Sequence, residues 1–199
     1  MTQNDNNGEN SSSDFPRPGS MFYNMAFNEK SKKRYIRLFK LFNKIIIPLY
    51  RLKVLSILGF GRRLLILSTK GRKSGKIRKS GLEYFRINNA IHIISGFGQK
   101  SDWFKNMIAN PDHVYVQVGF RKFHANIEVL EEAETEDVFR WFAKNHSTYM
   151  KAGFGWNPKQ DNPETADFSS LTRILKVIRI HKSIVGHSAS SLSTTGNHQ

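Results

Sequence analysis

Residues 63–87 read RLLILSTKGRKSGKIRKSGLEYFRI, and our prediction of the fold begins from this stretch. Two runs, Arg63 to Thr69 and Leu82 to Ile87, have the apolar composition of β-strands. Between them, Gly71 to Lys79 contains too many glycines and cations to be buried. We therefore predict two strands that are joined by an exposed cationic loop.

Further hairpins follow this stretch along the chain. Asn88-Asn89 separates the second run from Ile91 to Ile94, as in a tight hairpin. His113 to Val118 and Lys122 to Leu130 alternate around Gly119-Phe120-Arg121, and Arg173 to Ile180 alternates basic and apolar residues. Since hairpins outnumber strand-helix alternations, we predict a mainly β (α+β) fold, a small antiparallel barrel with helices packed outside it. The helices expected there are Ser101 to Ala109, which stops before a proline, and Glu134 to Met150.

The charge of the chain is concentrated in one segment. The net charge is +15, yet no Asp or Glu lies between Glu29 and Glu83, where 17 Lys and Arg occur. The remaining residues sum to −2. An anionic ligand or surface is therefore expected to bind this segment.

Residues 30–53 have the pattern of a basic amphipathic helix. Apolar residues recur at intervals of three and four, while cations fall on another face. The apolar set is Tyr35, Leu38, Phe39, Phe42, Ile45, Ile46 and Leu49, and the cationic set is Lys33, Arg37, Lys40 and Lys44. Two roles stay open for this helix: attachment to an anionic membrane surface, or packing of its apolar face on the barrel.

Composition also predicts the domain organisation. Residues 1–24 and 183–199 are rich in Asn, Ser and Gly, so we predict disorder at both ends. Residues 25–60 form the predicted basic helical region and residues 61–182 the barrel domain. The chain has no cysteine and no signal-peptide pattern at its start, so the cytoplasm is the expected location. Residues 41–60 carry too much charge to span a bilayer.

The cationic loop is the first candidate site. Gly71, Gly75 and Gly81 lie among cations and a hydroxyl, and backbone N–H groups together with such side chains bind phosphate. The side chains concerned are those of Arg72, Lys73, Ser74, Lys76, Arg78 and Lys79. A solvated basic hairpin is the alternative interpretation. No two of the seven histidines are spaced as metal ligands, so no metal site is predicted.

Three motifs of the sequence resemble those of a known protein family. These are LILSTKGRKSGKIR from Leu65, SDWFKNMIANP from Ser101 and VYVQVG from Val114. They resemble the deazaflavin-dependent nitroreductase and quinone reductase family, whose members share a G-R-K-[ST]-G-x-x-R loop, a W-[FY]-x-N-[LM]-x-A-N-P helix and a V-x-V-Q strand. The resemblance covers roughly residues 40 to 181.

The resemblance implies a split antiparallel β-barrel of the FMN-binding type that binds coenzyme F-420, an 8-hydroxy-5-deazaflavin with a phosphodiester and an oligoglutamate tail. It favours this coenzyme over FMN. Lys73, Ser74 and Arg78 match the family's phosphate and tail binders, and Arg72 and Gly75 belong to the same loop. Ser95, Trp103 and Asn106 match positions that line the deazaflavin. A helix tryptophan such as Trp103 is also a common core residue, and Trp156 is equally suited to covering a planar ring and to sealing the barrel.

The sequence departs from the family at two places. The segment Ser95-Gly-Phe-Gly-Gln-Lys100 lacks the lysine that directly follows the serine in relatives, so Lys100 is expected to substitute for it. In the segment around Tyr149, His146 and Ala152 occupy positions where tyrosines are expected. We predict Tyr149 as the residue that binds or protonates the acceptor and His146 as a second proton donor. The acceptor stays open among a quinone, a nitroaromatic and an activated alkene.

The predicted function is therefore a reductase that transfers a hydride from the reduced deazaflavin to such an acceptor. Two alternatives are kept. One is a basic barrel that binds single-stranded nucleic acid, although the strand from Arg63 to Thr69 has no stacking aromatic. The other is a deazaflavin or flavin carrier without catalysis. By analogy with the family, a homodimer is expected, and the helix of residues 30–53 would place the enzyme on the inner face of the cell membrane.

Overall fold

The computed structural model describes residues 15–53, 57 and 63–183. Its strands are β1 (Leu64–Lys70), β2 (Ile77–Glu83), β3 (Phe85–Ile87), β4 (Ala90–Ser95), β5 (Val114–Val118), β6 (Arg121–Val129) and β7 (Lys176–Lys182). Its α-helices are α1 (Met21–Phe27), α2 (Glu29–Arg51), α3 (Asp102–Ala109), α4 (Glu132–Asn145), α5 (Ser147–Phe154) and α6 (Ser169–Ile174). Short 3-10 turns cover Gly98–Lys100 and Pro111–His113.

The seven strands form one antiparallel sheet that curls into a split barrel. Their spatial order is β2-β1-β5-β6-β7-β4-β3. The first and last strands of this order, β2 and β3, are consecutive in the chain and are separated only by Tyr84. The two edges of the sheet are thus joined by a single residue, and the sheet must close on itself. The prediction of a split antiparallel barrel with packed helices is confirmed.

The barrel interior is filled by the residues that alternate inward along the strands. In β1, Leu65 and Leu67 are fully buried inside, whereas Ile66 faces outward against α2. Other strands add Ile93, Val114, Val116 and Ile178 to the same core. Met107 from α3 reaches this core as well, so α3 covers one end of the barrel.

A second core lies outside the barrel, between α1, α4, α5 and α6. It is mainly aromatic, and the rings of Phe22 and Phe154 stack with centres 4.6 Å apart. Trp156 is fully buried between Phe15 and Phe168, at ring distances of 5.6 and 5.9 Å. Trp156 therefore packs in the core outside the barrel, and the expectation that it seals the barrel itself is wrong.

The cationic loop predicted from Gly71 to Lys79 is shorter in the structure, because β2 begins at Ile77 and its Arg78 and Lys79 pair with β1. The strand predicted from Leu82 to Ile87 covers the end of β2 and the whole of β3.

Two further predicted elements have different limits. The helix expected from Glu134 to Met150 is divided into α4 and α5, because His146 has non-helical backbone angles and its ring packs back on Trp141, 4.9 Å away. The last strand begins at Lys176 rather than Arg173. Residues before it form α6 instead, because Leu171 is buried in the second core as part of a helical turn.

The prediction of disorder for residues 1–24 is wrong for residues 15–24. Residues 1–14 lie outside the described part of the chain, but Phe15 and Phe22 are only 2% and 6% exposed. These two rings bury enough apolar surface to fix a segment whose composition is otherwise polar. Arg17 strengthens the attachment, since its guanidinium donates to both carboxylate oxygens of Asp161 at 2.6 and 2.8 Å. At the other end of the chain, residues 184–199 lie outside the described residues.

The basic amphipathic helix is confirmed as α2, and one side of it packs on the outside of the barrel. Asn43 accepts a hydrogen bond from the Gly81 N–H at 2.6 Å, at the free edge of β2. Tyr50 is buried, and its hydroxyl accepts from the Gly119 N–H and donates to the Leu64 carbonyl. Within the described ranges, no helix has the length and apolar character that crossing a membrane requires.

The ion pair of Arg17 and Asp161 gives a prediction about stability. Although burial raises the pKa of Asp161, the hydrogen bonds from Arg17 and from the Asn157 N–H hold that pKa below its usual range. A depressed carboxyl pKa stabilises the fold above about pH 4 and loses this effect as the pH falls through the folded-state value. Replacing Asp161→Asn should therefore lower the free energy of unfolding by about 1–2 kcal/mol at pH 7. Below pH 3 the difference from wild type should shrink in urea titrations.

The matched control for this prediction is Glu164→Gln, which removes an exposed ion pair with Lys144. Its stability should equal that of wild type at both pH values. An effect of Asp161→Asn that is the same at pH 7 and at low pH would contradict the assigned role of the ion pair.

Candidate functional site

The cationic loop between β1 and β2 is a closed turn whose charged side chains point to solvent. The Gly71 N–H donates to the Lys76 carbonyl at 2.9 Å, and the Gly75 N–H donates to the Gly71 carbonyl at 2.8 Å. Gly75 has φ +66°, a backbone conformation that side chains disfavour. Five exposed side chains of this turn and of the adjoining start of β2, together called the cationic loop below, have no hydrogen bond or ion pair within the described part of the chain. They belong to Lys73, Ser74, Lys76, Arg78 and Lys79.

Arg72 differs from its neighbours because it is bound to α3. Its backbone N–H and its guanidinium both donate to the Asn106 side-chain oxygen, at 3.2 and 2.9 Å. The guanidinium also pairs with Asp102 at 2.9 Å. Arg72 and Asn106, both predicted as ligand-binding residues, thus bind each other in this structure. Their contact fixes the loop on α3 and sets the direction in which the free cations project.

Helix α3 connects this loop to the barrel core. Asn110, just after its last turn, donates to the carbonyl of Lys70 at 3.2 Å. Trp103 is half-buried, packs against the barrel core and meets the Phe104 ring edge-on at 6.1 Å. Part of the Trp103 ring therefore belongs to the core, and the exposed remainder lies one turn of helix from Asn106.

The segment from Ser95 to Ser101 is held by its own hydrogen bonds. Ser95 is fully buried, and its hydroxyl donates to the Gly98 carbonyl at 2.7 Å and shares a hydrogen bond with the Ser101 hydroxyl at 2.8 Å. Gly98 is required here, since it has φ +53° and a Cβ would come within 2.6 Å of the Ile174 carbonyl. The hydroxyl of Ser95 thus shapes the turn that presents Lys100, which is exposed, to solvent.

Tyr149 and His146 lie near the other end of β2. The Tyr149 ring packs on Phe85 and Phe142, with centres 5.2 and 5.4 Å apart. His146 is exposed, and its ring centre lies 6.1 Å from that of Phe85. Because Phe85 follows β2 while the cationic loop precedes it, the two groups are separated by about 20 Å along the strand. The structure does not bring the loop and these two residues into contact.

The hydroxyl of Tyr149 has an altered acidity. Burial raises the pKa of Tyr149 well above its ordinary value near 10, and the charge of Glu83 adds to the shift. Burial also raises the pKa of Glu83, against the opposing charge of Arg63. Tyr149 therefore remains a protonated hydrogen-bond donor throughout the physiological pH range.

Glu83, whose charge acts on Tyr149, is a neighbour of that residue that sequence reasoning missed. It was noted only as the first acidic residue after the basic segment, because nothing in its local sequence indicates that it lies close to Tyr149. The helix that carries Tyr149 is 60 or more residues away in the chain and meets β2 only in the fold. The described residues contain no group of three or more His, Asp or Glu side chains that could hold a metal ion.

Comparison with known proteins adds one family and several distant structures. Residues 55–155 match the family described as "F420H(2)-dependent quinone reductase". None of the curated proteins compared with the chain matches it. A solved "F420-H2 Dependent Reductase (FDR-A)" is 22% identical with a TM-score of 0.41, and the match covers 60% of this chain and 95% of that one.

Two other solved structures have similar scores. One, described as a domain-swapped dimer, is 23% identical with a TM-score of 0.41, over 60% of this chain and 81% of that one. The other, a putative pyridoxamine 5'-phosphate oxidase from Listeria innocua, is 14% identical with a TM-score of 0.40, over 63% of this chain and 90% of that one. The family match carries more information, since it extends over just over half of the 199 residues and includes both the cationic loop and α3. The chain belongs to the family of coenzyme F-420-dependent quinone reductases.

Proposed function

We propose that this protein uses reduced coenzyme F-420 to reduce a quinone. The observation that carries the proposal is the set of cations on the β1–β2 loop, which are exposed and have no acidic partner among the described residues. Folding has left these charges uncompensated, in a loop that the family match includes. An anionic ligand would compensate them.

The chemistry of the loop fits the coenzyme. Lys73, Ser74 and Arg78 would bind its phosphodiester, and Lys76 and Lys79 would extend the positive track along the oligoglutamate tail. FMN has a single phosphate, so it would leave part of this track without a partner, and this supports a preference for coenzyme F-420. Arg72 would act as a positioning residue, since its guanidinium is already bound to Asn106 and Asp102.

The other predicted binding residues would lie toward the deazaflavin ring. The exposed part of Trp103 would contact the ring, Ser95 and Asn106 would set the shape of the surrounding turns, and Lys100 would contribute a further cation. The coenzyme is elongated, so its ring and tail would occupy different parts of the site. An elongated ligand could therefore extend from the cationic loop toward Tyr149.

When bound, the reduced coenzyme supplies a hydride, and the conversion of a quinone to a quinol then requires one proton. Tyr149 is suited to donate a hydrogen bond to the acceptor oxygen, because its raised pKa keeps the hydroxyl protonated. Exposed His146, close to the same phenylalanine, would exchange protons with solvent. The aromatic surroundings of Tyr149 would exclude water on one side of the acceptor.

Binding of the coenzyme tests the proposal directly. We expect full-length protein to bind reduced coenzyme F-420 at micromolar concentration, more tightly than FMN, and to oxidise it with menadione. Replacing Lys73→Glu and Arg78→Glu together should weaken binding of the coenzyme by at least about 100-fold, since each lost charged contact costs on the order of 1.5–3 kcal/mol. Fluorescence titration measures the binding, and absorbance of the deazaflavin measures turnover.

The matched control reverses Lys40→Glu and Lys44→Glu, two exposed cations of α2 outside the loop. Equal effects of the two pairs would show that the loop is not the site. Salt-dependent binding of an oligonucleotide without any binding of coenzyme F-420 would favour the nucleic-acid alternative. Tight binding without oxidation by menadione, by a nitroaromatic or by an activated alkene would favour a non-catalytic carrier.

Tyr149→Phe tests the role of the hydroxyl separately from packing. The phenylalanine ring keeps the contacts with Phe85 and Phe142, so the affinity for coenzyme F-420 should stay within about twofold of wild type. Turnover with menadione should fall by about 10- to 100-fold, because one donor to the acceptor oxygen is lost. Thr148→Ala, on the exposed side of the same helix, is the control. Unchanged turnover of the Tyr149→Phe variant would exclude the hydroxyl from the reaction.

We also propose that α2 attaches the protein to the inner face of the cell membrane, where apolar quinones dissolve. The side of α2 that does not pack on the barrel carries an apolar stripe that is more than half exposed. Leu38 and Leu41 are 55% exposed, Ile45 is 51% exposed, and Leu52 just after the helix is 70% exposed. Arg34, Arg37, Lys44 and Arg51 border this stripe and would contact anionic lipid head groups.

Point variants test this attachment better than removal of residues 1–52, which would take Phe15, Phe22 and Tyr50 out of the packed cores. Wild-type protein should sediment with vesicles that contain 30% or so anionic lipid, and Leu41→Ser with Ile45→Ser should reduce the bound fraction by about tenfold. Ile108→Ser, an exposed apolar residue on α3, is the control. Equal sedimentation of all three proteins would contradict the proposed membrane attachment. It would not affect the proposal that the protein binds coenzyme F-420. The homodimer that was expected by analogy stays a prediction.

A further inference from the structure

A second cationic site lies at the end of the barrel opposite the β1–β2 loop. Here the β3–β4 turn, the β5–β6 turn and the end of β7 enclose an open groove of about 820 Å³. The strand register places it at the far end, since Leu65 pairs with Val118 and Val118 pairs with Arg121. The length of β1 separates this groove from the cationic loop by about 20 Å. The groove is therefore separate from the cationic loop. Tyr149 lies at the same end of the barrel but on the other face of the sheet, since its neighbour Phe85 packs in the second core whereas the next residue, Arg86, lines the groove.

The floor of the groove is apolar. Ile91 and Ile180 are almost fully buried members of the barrel core, and they face each other in register across β4 and β7. Val118 and Phe123 are partly buried against the same core. Phe120 projects from the β5–β6 turn and is 61% exposed. The open mouth of a β-barrel with such a floor is a common place for a small organic ligand.

The rim of the groove is cationic and contains no acidic residue. Arg86, Arg121, Lys122 and Lys182 are exposed and come from three different elements. Within the part of the chain that the structure describes, none of the four has an ion pair. The carboxylate of Glu128 contacts Arg179 at 2.9 Å and His181, another residue that lines the groove, at 3.5 Å. Four like charges around one groove repel each other until an anion is bound.

We infer that this end of the barrel binds an organic anion with an apolar body, such as an aromatic carboxylate. The apolar body would lie on Ile91, Val118, Phe123 and Ile180, and the acidic group would be held by Arg86, Arg121 and Lys182. Lys122 would contribute only its charge, since its ammonium lies 5.1 Å from the centre of the Tyr115 ring on the outer face of the barrel. Arginine suits this task, because its planar guanidinium makes paired hydrogen bonds with a carboxylate. A ligand that is only charged would contact the rim but not the apolar floor, and a ligand that is only apolar would contact the floor but not the rim. This inference does not depend on the proposed reductase activity.

Calorimetric titration of the full chain with 2-naphthoate tests the inference. We expect 2-naphthoate to bind. The neutral analogue 2-naphthamide should bind at least tenfold more weakly, because an uncharged amide makes no ion pair with the cationic rim. Replacing Arg86→Gln and Arg121→Gln together should weaken 2-naphthoate binding at least tenfold. Phe120→Ser should weaken it by a smaller factor of about three, since Phe120 lies at the edge of the floor.

Two control pairs remove the same charge elsewhere. Lys40→Gln with Lys44→Gln on α2, and Lys73→Gln with Arg78→Gln on the cationic loop, should each leave the affinity for 2-naphthoate within twofold of wild type. A second rim pair, Lys122→Gln with Lys182→Gln, should weaken binding even if the arginine pair impairs folding. The inference is overturned by an absence of binding, by equal binding of the acid and the amide, or by equal losses in the rim and control pairs.

Discussion

The architecture depends on one stretch of backbone that pairs with two neighbours. Residues from Ile77 to Ile87 form β2 against β1 and then β3 against β4, with Tyr84 between them. The Tyr84 N–H still donates to the Arg63 carbonyl at 3.0 Å, so the change of partner leaves that donor satisfied. This continuity closes the sheet and leaves a split where β2 and β4 diverge. It also places the cationic loop at one end of β2 and the aromatic surroundings of Tyr149 at the other.

Many of the cations have no acidic partner among the residues that the structure describes. Ion pairs do occur where they fix one element on another, as with Arg72 on α3 and Arg17 on the loop around Asp161. Cations on the β1–β2 loop, on the exposed side of α2 and at the rim of the far groove remain open to solvent. Such an arrangement costs stability through repulsion, and it favours binding of anions at three separate surfaces.

The sequence predicted the parts of the site that depend on local chemistry. Glycines and cations between two apolar runs indicated the loop, and the spacing of apolar residues indicated α2. It did not reveal that Arg72 and Asn106 bind each other, because their contact joins residues 34 positions apart. It also overestimated disorder at the N-terminus. Composition averages over a segment, whereas Phe15 and Phe22 are held in place by partners that lie far along the chain.

The sequence by itself determined the antiparallel hairpins, the basic helix and the family, because each depends on periodicity or on a short motif, whereas the limits of β2 and β7 were set by pairing and packing in the fold. Only the tertiary structure decided which charges stay free and which polar groups lie near each other. Arg86, Arg121 and Lys182 are widely separated in a part of the chain, residues 84–199, where 13 Lys and Arg nearly balance 11 Asp and Glu. They form one positive rim only because antiparallel pairing brings two turns and a strand end to the same mouth of the barrel. Charge along a chain is additive, but an electrostatic site depends on distances, and the closed sheet sets those distances.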